Sequence, residues 1–456
     1  MDGGLIRAGM RVAVLGFGLS GQAASAFAQA AGAQVRVSDS GDAARFAEKH
    51  GAMLDQIGLV WEAGQHSRDF LADIDAAIVS PGVSLHQDVI KWLRDRGVPL
   101  YGELALAAPL FDAPVIAVTG TNGKTTVTTL IGEILKAAGH KVFVGGNIGT
   151  PLLRYLLSDE RASALALEVS SFQLQLAGSF APQVGVLLNI TPDHFDLHTG
   201  MDEYATAKMQ LFARQRRDDV AVICLDDEIA DCHSTTVNSR LVGYGHGENC
   251  LARIGEHGAR LNWRGVWENY DLAGSPLDSP IGISNATAAI CAARAFGVEP
   301  AMIIAALRAF TPLPHRLQLV READGIRYVD DSKGTNTGAV IAALRQTPGR
   351  VVLIAGGRHK GEDYRLLAEV VAKRCRHLIL IGEAAPLIGE TLAGVAPMTT
   401  ASDMAAAVQM AARLARPGDT VLLSPACSSF DMFKDYAERG EVFAAAARAL
   451  PAGERP

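Results

Sequence analysis

No two of the six cysteines, Cys224, Cys232, Cys250, Cys291, Cys375 and Cys427, stand in a Cys-x-x-Cys pair. Their scatter speaks against a zinc site and against a disulfide framework, so free thiols are expected. Long hydrophobic runs are missing as well. The longest uncharged stretch, Val169 to Pro192, is broken by Ser170, Ser171, Gln173, Gln175, Pro182 and Asn189, and it lacks the continuous apolar character of a spanning helix. The opening segment, MDGGLIRAGMRVAVLGFG, runs straight into glycines with no small-residue cleavage site behind a true apolar region, so no export signal is read and a cytoplasmic location is expected. Lysine and arginine form no long run, and the formal net charge is -7. With no basic field for a phosphodiester backbone, nucleic acid is not an expected partner, and neither is a membrane.

What the sequence does contain is ordinary globular material, 49% apolar and 20% charged over 456 residues. That composition excludes a disordered chain or a coiled coil, and the length favours about three domains of ~150 residues. Three successive alternations of β-rich runs and helical patterns agree. The first comprises RVAVLGFG, a helix over Ser20 to Ala31, QVRVSDS, AAIVSPG and a helix over Gln87 to Arg96. The second starts after Asp112-Ala113-Pro114 with VIAVTG and continues through KVFVGG, LALEVSS, VGVLLNI and VAVICLDD. Short glycine-separated strands from Ser239 onward predict an antiparallel appendage, followed by Ala-rich helices over Asn285 to Phe296 and Ala301 to Phe310 and a linker at Thr311 to Pro314. The third alternation is IRYVDDS, VVLIAGG, HLILIGE, MTTAS and TVLLSPA, closed by a long Ala-rich helix. The fold class read from this is α/β, with domains at 1–111, 112–314 and 315–456.

The strongest local signal is VIAVTGTNGKTT, an apolar strand, a glycine-rich turn and then a helix opening on Lys124 and Thr125. Backbone N–H groups of Gly120, Thr121, Asn122 and Gly123, with Lys124, Thr125 and Thr126, converge in such a turn on the phosphates of a nucleotide, and Thr125 suits Mg²⁺. The strict spacing would put a glycine at position 118, where Val118 stands, so this is the shorter T-G-T-N-G-K-T form. A turn that merely needs glycines would not also place Lys-Thr at the helix start. Gly16-Phe17-Gly18-Leu19-Ser20-Gly21 is a G-x-G-x-x-G turn with Asp39 ending the next strand, as a dinucleotide site has. Taken alone it suggests NAD. No hydride-transfer constellation accompanies it, and a nucleotide diphosphate is the broader reading.

Glu168 ends an apolar run, the place of a second-metal carboxylate in a nucleotide-dependent enzyme. His194 and His198 share zinc-like spacing, but Phe195 stands where H-E-x-x-H needs Glu and Pro192 implies a loop, so a role for His194 toward a phosphate or carboxylate is favoured over zinc. Asp330 to Asn336 and Ser424 to Phe430 each follow a strand, where ligands bind in open α/β sheets. Either turn could be a plain helix cap. Two in one domain favour a small-molecule site.

Assembled, these residues make the chain resemble the Mur ligases from about Val12 to Phe443. GTNGKTT (120–126) marks a superfamily that includes folylpolyglutamate synthases. GGNIG (145–149), EVSSFQL (168–174), NITPDHFDLH (189–198) and YATAKMQLF (204–212) add to it, while DSKGTN (331–336) and SPACSSFD (424–431) are similar to its D-glutamate branch. The resemblance implies an N-terminal Rossmann-like domain, a central P-loop ATPase-type mixed sheet and a C-terminal Rossmann-like domain. It implies ATP-dependent addition of D-glutamate to UDP-N-acetylmuramoyl-L-alanine through an acyl phosphate, a cytoplasmic step of peptidoglycan precursor synthesis, by a monomer using ATP and two Mg²⁺ ions. Another amide ligase of the superfamily is the alternative, and an NAD-dependent oxidoreductase a more distant one.

By the same resemblance Leu19, Ser20, Asp39, Ser40 and Gly82 lie near UDP, and Asn147 and His194 toward the muramoyl part. Lys124 holds ATP phosphates, Thr125 and Glu168 the metal ions, Asn285 the adenine, and Arg316 and Asp331 the nucleotide. Lys333 lies at the reacting centre, and Thr335, Lys360, Ser429, Phe430 and Tyr436 toward the glutamate. Lys208, beside these motifs, is expected to be carbamylated and to act as an anionic metal partner of Glu168, because an ammonium would repel the ion. Two departures stand out: Ile281-Gly282 replace the family's His-Asn, and His359 stands where many relatives have Asp. Because an acyl phosphate and a free amine must both be kept from water, domain closure over the substrates is expected.

Overall fold

The computed structural model describes residues 4–193, 195 and 197–451. The described chain forms three sheets, of five, nine and six strands. It divides into two compact units: Met1–Ile190, Leu197–Ser275 and Ile283–Phe310 make the first, and Thr191–Asp196, Pro276–Gly282 and Thr311–Pro456 the second.

In the first unit the five-stranded sheet is parallel throughout, in the order Val60–Ala63, Gln34–Asp39, Arg11–Leu15, Ala76–Val79, Leu100–Tyr101. The strand order reverses between Arg11–Leu15 and Ala76–Val79, and the carboxyl ends of these two strands flank a crevice of the kind in which open α/β sheets bind ligands. Gly16 turns the chain there at φ +82, where an added Cβ would come within 2.9 Å of the Val83 side chain. A Cβ on Gly21 would overlap the carbonyl oxygen of Gly16. These two glycines are therefore required for the tight turn and for the close seating of helix Leu19–Ala30.

The nine-stranded sheet is mixed. Its parallel part is built on Val115–Thr119, flanked by Ala164–Glu168 and Val184–Leu187, and all three strands are buried along their whole length. Burial on both faces explains why they read as unbroken apolar runs and not as alternations. Helix Lys124–Ala137 covers this sheet with Val127, Leu130, Ile131, Ile134 and Leu135, one face at helical spacing. The antiparallel segment expected from the glycine-separated strands, Ala252–Ile254, Gly258–Trp263 and Val266–Asp271, extends the same sheet at its edge.

Helix Pro280–Phe296 begins five residues before the expected start at Asn285. Proline suits a first helical position, and Ser279 Oγ accepts from the Gly282 N–H at 3.2 Å in the manner of an N-cap. Asn285 therefore lies inside the helix.

The second unit carries the six-stranded sheet, in the order Gln318–Ala323, Ile326–Asp330, Thr420–Leu423, Val351–Gly356, Cys375–Ile381, Met398–Thr400. The edge strand Gln318–Ala323 was not expected. It pairs antiparallel with Ile326–Asp330 across Asp324-Gly325, both at positive φ, as a two-residue hairpin turn requires. The remaining pairs are parallel. Among the described residues no helix is long and apolar enough to cross a membrane.

Candidate active site

The glycine-rich turn after Val115–Thr119 is held open by its own backbone and by one asparagine. Gly120 and Gly123 adopt φ +151 and +87, conformations that L side chains rarely tolerate. Asn189 Oδ1 accepts from the Thr121 and Asn122 N–H groups at 3.1 and 2.8 Å, and its Nδ2 donates to the Asn122 carbonyl at 3.1 Å. Lys124 Nζ donates to the Gly120 and Thr121 carbonyls at 2.9 Å each. Helix Lys124–Ala137 starts without a side-chain cap, so its first N–H groups, around Thr125 and Thr126, face the space where an anion meets the positive end of the helix dipole. Asn285 packs over the turn; a Cβ on Gly123 would lie 2.6 Å from its Oδ1.

Beside the turn, Glu168 ends its strand at 3% exposure. Its Oε1 accepts from Asn147 Nδ2 at 2.9 Å, while Oε2 is buried and has no hydrogen-bond partner among the described residues. A buried carboxylate oxygen left in this state is costly unless a cation completes it. Lys208, 1% exposed, donates from Nζ to the Gly120 carbonyl at 2.8 Å and lies 4.3 Å from the centroid of the Tyr204 ring. Tyr204 OH and Thr121 Oγ1 are 3.2 Å apart. The structure thus gathers Gly120 to Thr126, Asn147, Glu168, Lys208 and Asn285 at one end of one sheet. His194 lies outside the described residues. His198 Nε2 is paired with Ser171 Oγ at 2.9 Å and its ring stacks on Phe172.

At the crevice of the five-stranded sheet, Asp39 Oδ2 accepts from the Phe17 N–H at 2.7 Å and Oδ1 from the Gly41 N–H at 2.8 Å. The carboxylate thereby braces the glycine-rich turn itself. Leu19 is 72% exposed at the head of its helix, next to Ser20. Ser40 follows Asp39, and Gly82 has open space where a Cβ would be.

In the second unit the two polar turns expected from the sequence are joined. Ser424 Oγ donates to Asp331 Oδ2 at 2.8 Å, and the Ala426 N–H donates to the Gly334 carbonyl at 3.0 Å. Burial pushes the Asp331 carboxyl up to about 7, against the pull of Ser424 and the nearby Arg316 guanidinium. Lys333 Nζ donates to Tyr436 OH at 3.4 Å and lies over the same ring. The Thr335 N–H bonds the Lys333 carbonyl, Ser429 is buried, and Phe430 is 63% exposed. Lys360 Nζ contacts Asp193 Oδ1 at 3.2 Å.

The two departures have local accounts. The Gly361 N–H donates to His359 Nε2 at 3.2 Å, which leaves the proton on Nδ1 to reach Tyr364 OH at 3.1 Å; the ring closes its own turn. At Gly282 a Cβ would clash with the Leu277 carbonyl, 2.4 Å away, so this turn leaves no room for a side chain in place of the family's Asn.

Residues with no local sequence signal complete the site. Arg439, 1% exposed, donates to Ser332 Oγ and Ser332 O at 2.9 and 2.8 Å and to Cys427 O at 3.1 Å, tying the two turns together. Burial lowers its pKa to about 10, so it stays charged at neutral pH. Replacing it by methionine removes three hydrogen bonds and leaves the buried Ser332 and Cys427 carbonyls unsatisfied, while the Ser332 hydroxyl keeps its bond to the Tyr436 carbonyl; urea unfolding is expected to show a loss of about 2–3 kcal/mol. A loss under about 1 kcal/mol would mean that the turns hold each other without it.

Family models match along most of the chain: the Mur ligase MurD-like N-terminal domain at residues 10–102, the Mur ligase middle domain at 118–293 and the Mur ligase glutamate ligase domain at 315–427. The UDP-N-acetylmuramoylalanine--D-glutamate ligase of Desulfotalea psychrophila is 45% identical over 435 residues, covering 94% of each chain. The chain belongs to the Mur ligase family. Its likeness to the ligase of the same name from Geotalea daltonii is 39% identity over 98% of this chain and 99% of that one. In fold this Mur ligase is similar to MurF ligase from Thermotoga maritima in complex with ADP, with TM-score 0.59 and 20% identity over 97% and 95% of the two chains. It is also similar to E. coli FolC in complex with DHPP and ADP, with TM-score 0.57 and 20% identity over 80% of this chain and 99% of that one.

Proposed function

We propose that this Mur ligase adds D-glutamate to UDP-N-acetylmuramoyl-L-alanine at the expense of ATP, forming an amide bond in the synthesis of peptidoglycan precursors. The observation that carries the reading is the cluster of Lys124, Glu168 and an uncapped helix start around one glycine-rich turn. It is an anion site with an unsatisfied carboxylate beside it, which is what a metal-bound triphosphate needs. In this reading residues 1–111 take the UDP substrate, 112–314 take ATP and 315–456 take the amino acid.

A carboxylate does not react with an amine at neutral pH, because its charge repels the nucleophile and its oxygen is a poor leaving group. Transfer of the γ-phosphoryl group of ATP to the substrate carboxylate gives an acyl phosphate. The neutral glutamate amine then attacks the carbonyl carbon, and the tetrahedral intermediate collapses to amide and phosphate with loss of the amine proton. Lys124 and the N–H groups from Gly120 to Thr126 hold the phosphates in line for the first step. Thr125, Glu168 and a carbamylated Lys208 would hold Mg²⁺, which supplies charge neutralisation at the phosphoryl oxygens. The small number of side-chain ligands suits an ion that keeps several waters and shares substrate phosphates.

Asn285 takes the adenine side, and Arg316 and Asp331 the nucleotide. Leu19, Ser20, Asp39, Ser40 and Gly82 take UDP, with Asn147 and His194 toward the sugar. Lys333 orients the reacting groups, and Thr335, Lys360, Ser429, Phe430 and Tyr436 hold the amino acid. Phosphate release should be measured with UDP-N-acetylmuramoyl-L-alanine and ATP against a panel of amino acids of both hands. D-Glutamate is expected to give release at least ~100-fold above L-glutamate, a difference of about 2.8 kcal/mol. Release with another amino acid, or with a pterin in place of the UDP substrate, would overturn the reading.

A further inference from the structure

Glu362 follows Lys360 by two residues and is 8% exposed. Its Oε2 accepts from the N–H and the hydroxyl of Thr337, at 2.8 and 2.9 Å. That bond places the carboxyl on the first turn of helix Thr337–Gln346, where the helix dipole favours an anion. Its Oε1 is buried and has no hydrogen-bond partner among the described residues. Asp193 stands in the same corner, accepting from Lys360 Nζ at 3.2 Å and from Asn336 Nδ2 at 3.0 Å. Asn336 in turn caps that helix through the Ala339 N–H at 2.7 Å. Two carboxyl groups, of Glu362 and Asp193, thus share a corner with one ammonium, that of Lys360, whose side chain is 17% exposed. With both ionised the corner carries an excess negative charge; a proton on Glu362 removes it.

We propose that Glu362 is a positioning residue of the amino-acid site, which holds the start of helix Thr337–Gln346 with one oxygen and, through its charge, sets how much of the Lys360 ammonium is available to a substrate carboxylate. The proposal rests on the assignment of Lys360 to the amino acid. When Glu362 is protonated, Lys360 is balanced by Asp193 alone and an incoming carboxylate is attracted. Once Glu362 ionises, it competes for the same cation and repels the substrate. Burial and the charge of Asp193 push Glu362 up to about 7, against the Thr337 N–H and Lys360, which pull it down. Ionisation therefore falls within the working pH range. The other groups around it are the Tyr364 hydroxyl and the Cys427 thiol, both pushed up by burial and neutral from pH 6 to 9, and His359, which is bonded to Tyr364.

The test is KM and kcat for D-glutamate between pH 6 and 9 in the wild-type enzyme and in Glu362→Gln. The amide keeps an acceptor for Thr337 and carries no charge. Taking the ratio of the two KM values cancels the titration of the substrate amine. The wild-type to variant ratio is expected to be near one at pH 6 and to rise about five-fold by pH 8.5 with a midpoint near 7, while kcat stays within about two-fold. Glu362→Ala removes the charge as well and serves if the amide variant does not fold; its KM ratio is expected to follow the same pH course. A flat ratio in a folded, active variant overturns the proposal alone. A wild-type enzyme that releases no phosphate with D-glutamate at any pH overturns the amino-acid site and this proposal with it.

Discussion

Lys124→Ala is expected to lower phosphate release by about 10³-fold or more while changing the affinity for UDP-N-acetylmuramoyl-L-alanine by less than about two-fold. The ammonium sits at the Gly120 and Thr121 carbonyls, 2.9 Å from each. It is the only side-chain cation in the turn from Gly120 to Thr126. Its removal takes away charge that is needed most when negative charge builds on the transferring phosphoryl oxygens. The glycine-rich turn at Gly16 to Gly21 belongs to a different sheet, so binding of the UDP substrate has no reason to respond. Stopped phosphate assays and calorimetric titration read the two effects separately. Full activity in the variant would remove the phosphate-site assignment. Saturable NAD binding without any response to the UDP ligand would reassign the first turn.

The second large effect is at Lys208. Alanine there is expected to abolish most activity, by about 10²-fold or more, and added formate or acetate to restore part of it. Lys208 is buried, at 1% exposure, and a lysine reacts with carbon dioxide only as its neutral amine, whose formation from a group of reference pKa ~10.4 is part of the cost of the modification. Carbamylation needs that neutral amine. The modified nitrogen keeps one hydrogen, enough to preserve the bond to the Gly120 carbonyl seen at 2.8 Å, and gains two oxygens of the kind that Mg²⁺ prefers. A small carboxylate entering the space vacated in the alanine variant would supply the same oxygens. If Lys208→Ala turns over like wild type at limiting Mg²⁺, Lys208 has no such role and Glu168 loses its proposed metal partner.

Much of this site could be read before any tertiary contact was known, because its parts are local. A strand, two glycines at positive φ and a helix opening on Lys124-Thr125 lie within a dozen consecutive residues, and the backbone conformation of such a segment is dictated by its own residues. The turns Asp330 to Asn336 and Ser424 to Phe430 were legible one by one for the same reason. The Asp324-Gly325 hairpin carried an equally local signal, but the strand before it is a half-exposed edge with weak alternation, and it went unread.

Sequence spacing could not show that the two polar turns share hydrogen bonds, since Ser424 and Asp331 are 93 residues apart. Strand order decided it: Thr420–Leu423 lies between Ile326–Asp330 and Val351–Gly356, so the carboxyl ends of all three strands, and the turns that follow them, lie side by side. Arg439, Glu362 and the bracing role of Asn189 within NITPDHFDLH escaped the sequence reading for a related reason. A lone Arg, Asn or Glu reads as a solvated side chain, because burying one is unfavourable unless partners from elsewhere in the chain satisfy it. Local chemistry thus determined which segments can bend around a phosphate or cap a helix. The sheet topology determined which distant groups meet there, and so which buried charges find partners and which carboxyls, Asp331 and Glu362, are left to titrate near neutral pH.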